Sequence, residues 1–202
     1  MINLIRFIVF IFIITLSLSL KASEASNWLK QEVDKILIAY QDPNLPNENR
    51  FLLIEQTINN NFPGKSIAIN IAKQSYKNAN EETRSNYINL FKRHLALNIA
   101  SLMQGYSNQK YELTDSRYDE KNKVNYIDME IYLDTGEMIV TWRVLKHKER
   151  YFVIDLIISG ISLYETKRSE FNSMLKNVDN DLAKLNEELH KINESSYQKI
   201  IN

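Results

Sequence analysis

From Asn125 to Leu133 apolar and polar side chains alternate without a break. Ile127, Met129, Ile131 and Leu133 fall on one side, and Tyr126, Asp128, Glu130 and Tyr132 on the other. A period of two is the mark of a half-buried strand. Asp134-Thr135-Gly136 supplies a hairpin signal. In the strand that returns, Met138, Val140, Trp142 and Val144 alternate with Ile139, Thr141, Arg143 and Leu145. Residues 146–150 turn the chain again, and Tyr151 to Ile158 is a nearly continuous apolar strand. Tyr111 and Leu113 flank Glu112 in a short first strand, followed by a polar turn over residues 119–123. The pattern predicts a three- or four-stranded antiparallel meander.

Helical spacing governs both flanks. Trp28, Leu29, Val33, Ile36, Leu37 and Tyr40 form one stripe, closed by Pro43 and Pro46. Phe51, Ile54, Ile58 and Phe62 form a second, stopped by Pro63-Gly64, and Ile67, Ile71, Ala72 and Ser75 suggest a short third helix. Asn80 is placed to cap a long fourth helix, with Glu81 and Glu82 in the first turn where the helix dipole favours acids. Its apolar residues run from Tyr87 to Met103, and Gly105 marks its end. Beyond Ser162 the helical period returns with Tyr164, Phe171, Met174 and Leu175. Val178, Leu182, Leu185, Leu189 and Ile192 then make a seam at alternating spacings of four and three. Such a seam docks either on its own domain or on a partner helix. Helices before and after an antiparallel sheet define the α+β class.

The chain starts differently. After Arg6 an apolar run reaches from Phe7 to Leu20, shorter than the roughly 20 residues of a bilayer span and of the length of a signal-peptide core. Ser23 and Ala25 provide small residues before a cut preceding Ser26. Residues 1–25 are therefore expected to be a cleaved secretory signal peptide, and residues 26–202 a single domain ending in an amphipathic helix. Secretion implies the periplasm in a Gram-negative source. An uncleaved N-terminal anchor or a buried helix is the alternative.

Composition narrows the chemistry. Lys and Arg number 25 and Asp and Glu 25, which argues against a nucleic-acid binder driven by a basic surface. The absence of Cys excludes disulfides, thiolate metal sites and a Cys nucleophile. No phosphate-binding glycine loop and no nucleophile-elbow motif occurs. His94, His147 and His190 are scattered, without a second ligand at metal-binding spacing. Asp155 is the one acid inside the apolar run 151–158. It reads either as a hydrogen-bonded structural acid or as a catalytic base in a pocket.

Two stretches resemble a known family. Ser75-Tyr76-Lys77-Asn78-Ala79-Asn80, followed by Tyr87-Ile88-Asn89-Leu90-Phe91, is similar to a helix-entry motif of the MlaC family of periplasmic phospholipid-binding shuttles, also called the toluene-tolerance Ttg2 family. Val140-Thr141-Trp142-Arg143, then Tyr151 to Leu156, then Gly160-Ile161-Ser162-Leu163, resembles that family's V-D-Y-R, W-x-V-Y-D-V and E-G-V-S-L run without insertion. Lys167-Arg168-Ser169-Glu170-Phe171 continues it. Ser159 departs from the family's usual Glu, Glu149-Arg150 from a Gly-rich turn, and Val178-Asp179 from a nearby Gly.

The resemblance implies a curved, cystatin/NTF2-like antiparallel sheet wrapped by helices, carrying phospholipid as cargo and needing no cofactor or metal. It implies as partners an inner-membrane ABC transporter complex with an MCE-domain protein and an outer-membrane lipoprotein–porin complex, and it carries over no catalytic residue. The expected lipid wall is Ile127, Met129, Ile131, Val140, Trp142 and Val144, with Val153 and Ile161. Leu95, Ile99 and Met103 of the long helix are expected to face it, with Phe171 nearby. Two alternatives stand beside this: an NTF2-like small-molecule enzyme using Asp155, and a structural periplasmic adaptor acting through the C-terminal seam.

Overall fold

A computed structural model describes residues 2–106 and 108–202, with side chains from Ala22 onward. The apolar core assigned to the signal peptide lies outside the residues whose side chains are described. Along the chain run helices α1 (Ile2–Gln41), α2 (Asn47–Asn61), α3 (Gly64–Asn78) and α4 (Glu81–Met103), then strands β1 (Tyr111–Asp119), β2 (Val124–Leu133), β3 (Gly136–His147), β4 (Arg150–Ile158) and β5 (Ile161–Ser162). Helices α5 (Leu163–Asn177) and α6 (Leu182–Ile201) complete the order. The class is α+β, as the periodicities predict. Two compact units divide the chain, one of Met1–Val33 with Gln109–Ser162, the other of Asp34–Asn108 with Leu163–Asn202.

In the first unit the strands form one antiparallel sheet in sequential order, β1-β2-β3-β4-β5. Leu133 pairs with Gly136 across the two-residue turn Asp134-Thr135, where the sequence places a hairpin. Gly136 has φ 135°, a conformation side chains with a Cβ avoid. At the opposite end Asp119 holds its turn by accepting from the amides of Lys121 (2.9 Å) and Asn122 (3.1 Å). Ser159 and Gly160, at φ 49° and 84°, join β4 to β5 with the two left-handed residues of a primed hairpin turn. β1 extends well past the short strand read from Tyr111 and Leu113. Its continuation is polar, so pairing with β2 rather than strand propensity recruits it.

The part of α1 belonging to this unit lies on the sheet. Ala22, Ala25 and Leu29 are buried, and Ser116 donates to the Ala22 carbonyl (3.0 Å) while accepting from Ser26 (2.9 Å). Glu24 receives Lys146 (3.3 Å) and the Tyr151 hydroxyl (3.1 Å), which hold its carboxyl below the usual range, Tyr151 foremost. Cleavage before Ser26 would remove Ala22, Glu24 and Ala25 from this arrangement. Among the described residues no helix is long and apolar enough to cross a membrane.

The second unit is helical. Ile71, Ala72, Tyr87, Phe91, Phe171, Leu175, Val178, Leu182, Leu185 and Leu189 share one buried core. α3 is interrupted at Lys73 (φ 40°, ψ −103°), so the short third helix of the sequence pattern is two helical pieces joined at a kink. Asn80 caps α4 as expected, accepting from the Thr83 amide at 2.8 Å. Asp181 caps α6 by accepting from Ala183 (2.8 Å) and Lys184 (3.3 Å). Val178, Leu182, Leu185 and Leu189 of the apolar seam are buried in this core, while Ile192 is exposed. Asp181→Ala should lower unfolding free energy by about 1 kcal/mol, read from the urea midpoint at unchanged slope, because two first-turn amides lose their acceptor.

Candidate functional site

Strand register sorts the side chains of the first unit into two faces. Cross-strand rows on one face run Leu113–Met129–Val140–Ile158, Ser116–Ile127–Trp142–Leu156 and Tyr118–Asn125–Val144–Val153. Ile131 and Met138 extend the same side toward the hairpin. None of these positions is charged, and the first charge on this side is Lys146, opposite Tyr151 at the end of β3 and paired with Glu24. Ile127 and Val144 are fully buried, and Met129, Val140, Val153 and Leu156 nearly so.

The opposite face is polar along its middle. Arg117, Tyr126, Arg143 and Asp155 form one row, beside Asp115, Asp128, Thr141 and Ile157. Arg143 pairs with Asp155 at 3.4 Å, Ser162 donates to the same carboxyl oxygen at 2.7 Å, and the Leu156 amide donates to the other at 2.8 Å. Both guanidinium groups flank the Tyr126 ring, Arg117 at 5.1 Å and Arg143 at 5.7 Å from its centre. Asp128 accepts from Thr141 (2.6 Å) and Arg117 (3.1 Å). Asp155 is thus a cross-strand tie whose carboxylate oxygens are already engaged. With its side chain 1% exposed, its removal strands Arg143. Asp155→Ala should cost about 2–3 kcal/mol of stability, measured by chemical denaturation.

A bulge decides which face Asp155 joins. Arg143 pairs with Asp155 and the next residue, Val144, with Val153, leaving Ile154 as the extra residue of β4. Simple alternation from Val153 would have put Asp155 on the apolar side. Instead Leu156 and Ile158 take that side, two members of the wall that sequence reasoning missed. The signal was one charged residue inside an otherwise apolar run, which a strand tolerates by shifting register around it.

Of the residues expected to line a lipid wall, Ile127, Met129, Ile131, Val140, Trp142, Val144 and Val153 share this apolar face. Ile161 pairs with Ile158 at the sheet end and is 67% exposed. The remaining four belong to the second unit. Leu95 is buried and Ile99 half-buried on α4. Met103 borders a polar cavity of about 320 Å³ together with Tyr40, Arg50, Tyr106 and Lys199. Phe171 sits in the helical core, its ring 5.1 Å from Phe91 and 5.5 Å from His94.

His94 is held among α4, α5 and α6. Its Nδ1 lies 3.0 Å from Asn193 Oδ1, and Asn193 donates to the Leu90 carbonyl at 2.9 Å. Its Nε2 stands 3.7 Å from Glu170, which Lys167 also approaches at 2.6 Å. These two neighbours, His94 first, bring the Glu170 carboxyl down to about 2 from 4.5. A carboxyl with a depressed folded-state pKa contributes stability that is present above its unfolded value and lost as pH falls through the folded one. The denaturation midpoint of the wild type should therefore fall more steeply between about pH 4.5 and 2 than that of Glu170→Gln. Among the described residues no cluster of His, Asp and Glu could hold a metal.

A family model described as MlaC protein matches residues 30–191. Among solved structures, the fold is similar to that of a phospholipid-binding protein from Ralstonia solanacearum in complex with a phospholipid, with a TM-score of 0.73 and 21% identity. The alignment covers 86% of this chain and 98% of that one. No curated protein matches the chain.

Proposed function

With residues 30–191 matching its family model, the chain belongs to the MlaC family, and we propose that it is a periplasmic phospholipid shuttle, a carrier rather than an enzyme. Its cargo is diacyl phospholipid. Its partners are an inner-membrane ABC transporter complex with an MCE-domain protein and an outer-membrane lipoprotein–porin complex. The observation that carries the reading is the sheet face of the first unit whose central rows bear no charge, in a chain with a phospholipid-binding protein as a structural neighbour.

A carrier must rival the bilayer for its cargo. Each buried methylene is worth about 0.8 kcal/mol, so two 16-carbon tails represent about 20–25 kcal/mol of gross transfer energy. Ile127, Met129, Ile131, Val140, Trp142, Val144 and Val153 offer aliphatic and aromatic surface that makes no fixed polar demand on most of a tail. Met129 and Met138 add unbranched thioethers that repack around chains of different length. Ile161, paired with Ile158 at the end of the same sheet, is proposed as a further tail-contacting residue.

The first 25 residues act in this reading as a secretory signal, supported by the short apolar core ahead of Ser23 and Ala25. The chain carries no nucleotide motif, so direction comes from partners whose affinities differ at the two membranes. Neither alternative gains a specific observation. Asp155 is engaged in a structural network, and Leu182, Leu185 and Leu189 of the α6 seam are packed within their own unit.

Native mass spectrometry of protein purified from its own compartment should show a co-purified diacyl phospholipid, and an empty protein with a lipid-free organic extract would overturn the reading. Ile127→Glu and Val140→Glu place an unpaired carboxylate on the apolar face, a burial costing several kcal/mol. Both should load less lipid than wild type. A variant that melts normally and still loads normally would show that the tails lie elsewhere.

A further inference from the structure

Two polar atoms on the apolar sheet face have no hydrogen-bond partner, one a donor and one an acceptor. The indole Nε1 of Trp142 is closed off from solvent and has no hydrogen-bond partner among the described residues. Its cross-strand neighbours are Ile127 and Leu156, with Val140 and Val144 two residues to either side along β3. Buried indole N–H groups ordinarily find an acceptor, and one left without is a standing penalty in a folded chain. Asn125, on the same face and opposite Val144, spends its Nδ2 on the Val144 carbonyl at 3.3 Å and leaves Oδ1 unpaired. A donor and an acceptor are thus both open on a surface otherwise suited to hydrocarbon.

Acyl methylenes cannot answer an N–H. The linkage at their head can, because an ester carbonyl is a neutral acceptor joined directly to the apolar chain. A phosphate oxygen is a poorer match at this place. Trp142 stands between Ile127 and Leu156, the Arg143 guanidinium belongs to the opposite face in its pair with Asp155, and Lys146, the cation on the Trp142 side, lies further along β3 and is paired with Glu24. A charge brought to Nε1 would lose its hydration without gaining a cation.

We propose that the Trp142 indole N–H donates a hydrogen bond to an acyl-ester carbonyl of the bound lipid, so that the protein discriminates ester-linked from ether-linked chains. The proposal rests on the phospholipid-carrier reading and names the one polar contact that sets how deep the tails enter. Trp142 is then a specificity residue. The apolar face supplies most of the affinity, and the indole fixes the register of the glycerol end along the sheet. Asn125 Oδ1, being an acceptor, cannot serve an ester and is left to water or a donor on the lipid.

The test compares vesicles of dihexadecanoyl phosphatidylethanolamine with vesicles of its dihexadecyl ether analogue, equal in chain length and headgroup. Delipidated wild-type protein should load the diester about 2- to 10-fold better, the range one neutral hydrogen bond provides. Trp142→Phe should load both lipids equally. A second measurement does not depend on that variant folding. In Trp28→Phe the remaining indole is Trp142, and its ¹⁵N–¹H resonance should move downfield with the diester and not with the diether. Equal loading of both lipids by wild type, with an unmoved indole resonance, would overturn the proposal while leaving the carrier reading intact. It would assign the orphan N–H to a buried water shared with Asn125. Failure to load either lipid would instead defeat the carrier reading, and the proposal with it.

Discussion

An antiparallel ladder leaves a residue no choice of side. Once Ile127 is paired with Trp142 and Val140 with Met129, each neighbour is committed to one face, and a slip of one residue would exchange the faces entirely. In this sheet the exchange would place Asp128, Arg143 and Asp155 where Ile127, Val144 and Leu156 now lie. That asymmetry holds the register of β2 and β3 and creates the surface on which the functional reading depends. Charge at the middle of the sheet is collected on one side, where Arg117, Arg143 and Tyr126 can serve it, and the central rows of the other side are left free of charge.

The two bulges make the separation complete. On β1 Thr114 is the extra residue between the Leu113 and Asp115 pairings, and on β4 it is Ile154. Bulges bend a strand and raise its twist, and each of these two also re-aims the side chains beyond it on its strand. Without the second, Asp155 would be an unpaired carboxylate on the apolar face, or Leu156 would be pointed at Arg143. With it, the acid meets Arg143 and Ser162 at 3.4 and 2.7 Å. A feature that read as possible chemistry is part of how the sheet keeps its apolar side free of charge.

The helical unit meets the same demand differently. Several polar side chains in its interior bond to backbone or to one another, Asn193 to His94 and Leu90, Asn186 through Nδ2 to Thr83, and the Tyr87 hydroxyl to the Ala68 carbonyl, while Asn186 Oδ1 has no hydrogen-bond partner. α6 reads from its seam as able to bind a partner, yet Leu182, Leu185 and Leu189 complete the core around Phe91 and Phe171. A 4-3 spacing states that a helix has an apolar face. What covers the face depends on residues far away in the chain.

Local order alone determined a good deal. Alternation from Asn125 to Val144, the turn at 134–136, the cap at Asn80 and the helical stripes were each legible because period, turn chemistry and capping act between residues a few positions apart. The motifs around Val140, Tyr151 and Gly160 likewise pointed to the family that residues 30–191 match. Other features depended on partners distant in sequence. Pairing with β2 drew the polar residues after Leu113 into a strand, and the Ile154 bulge moved Asp155 to one face and Leu156 to the other. The burial of Phe171 and the unanswered Trp142 N–H belong with these. A side chain's surroundings are set by register and packing across tens of residues, and no local pattern carries that information.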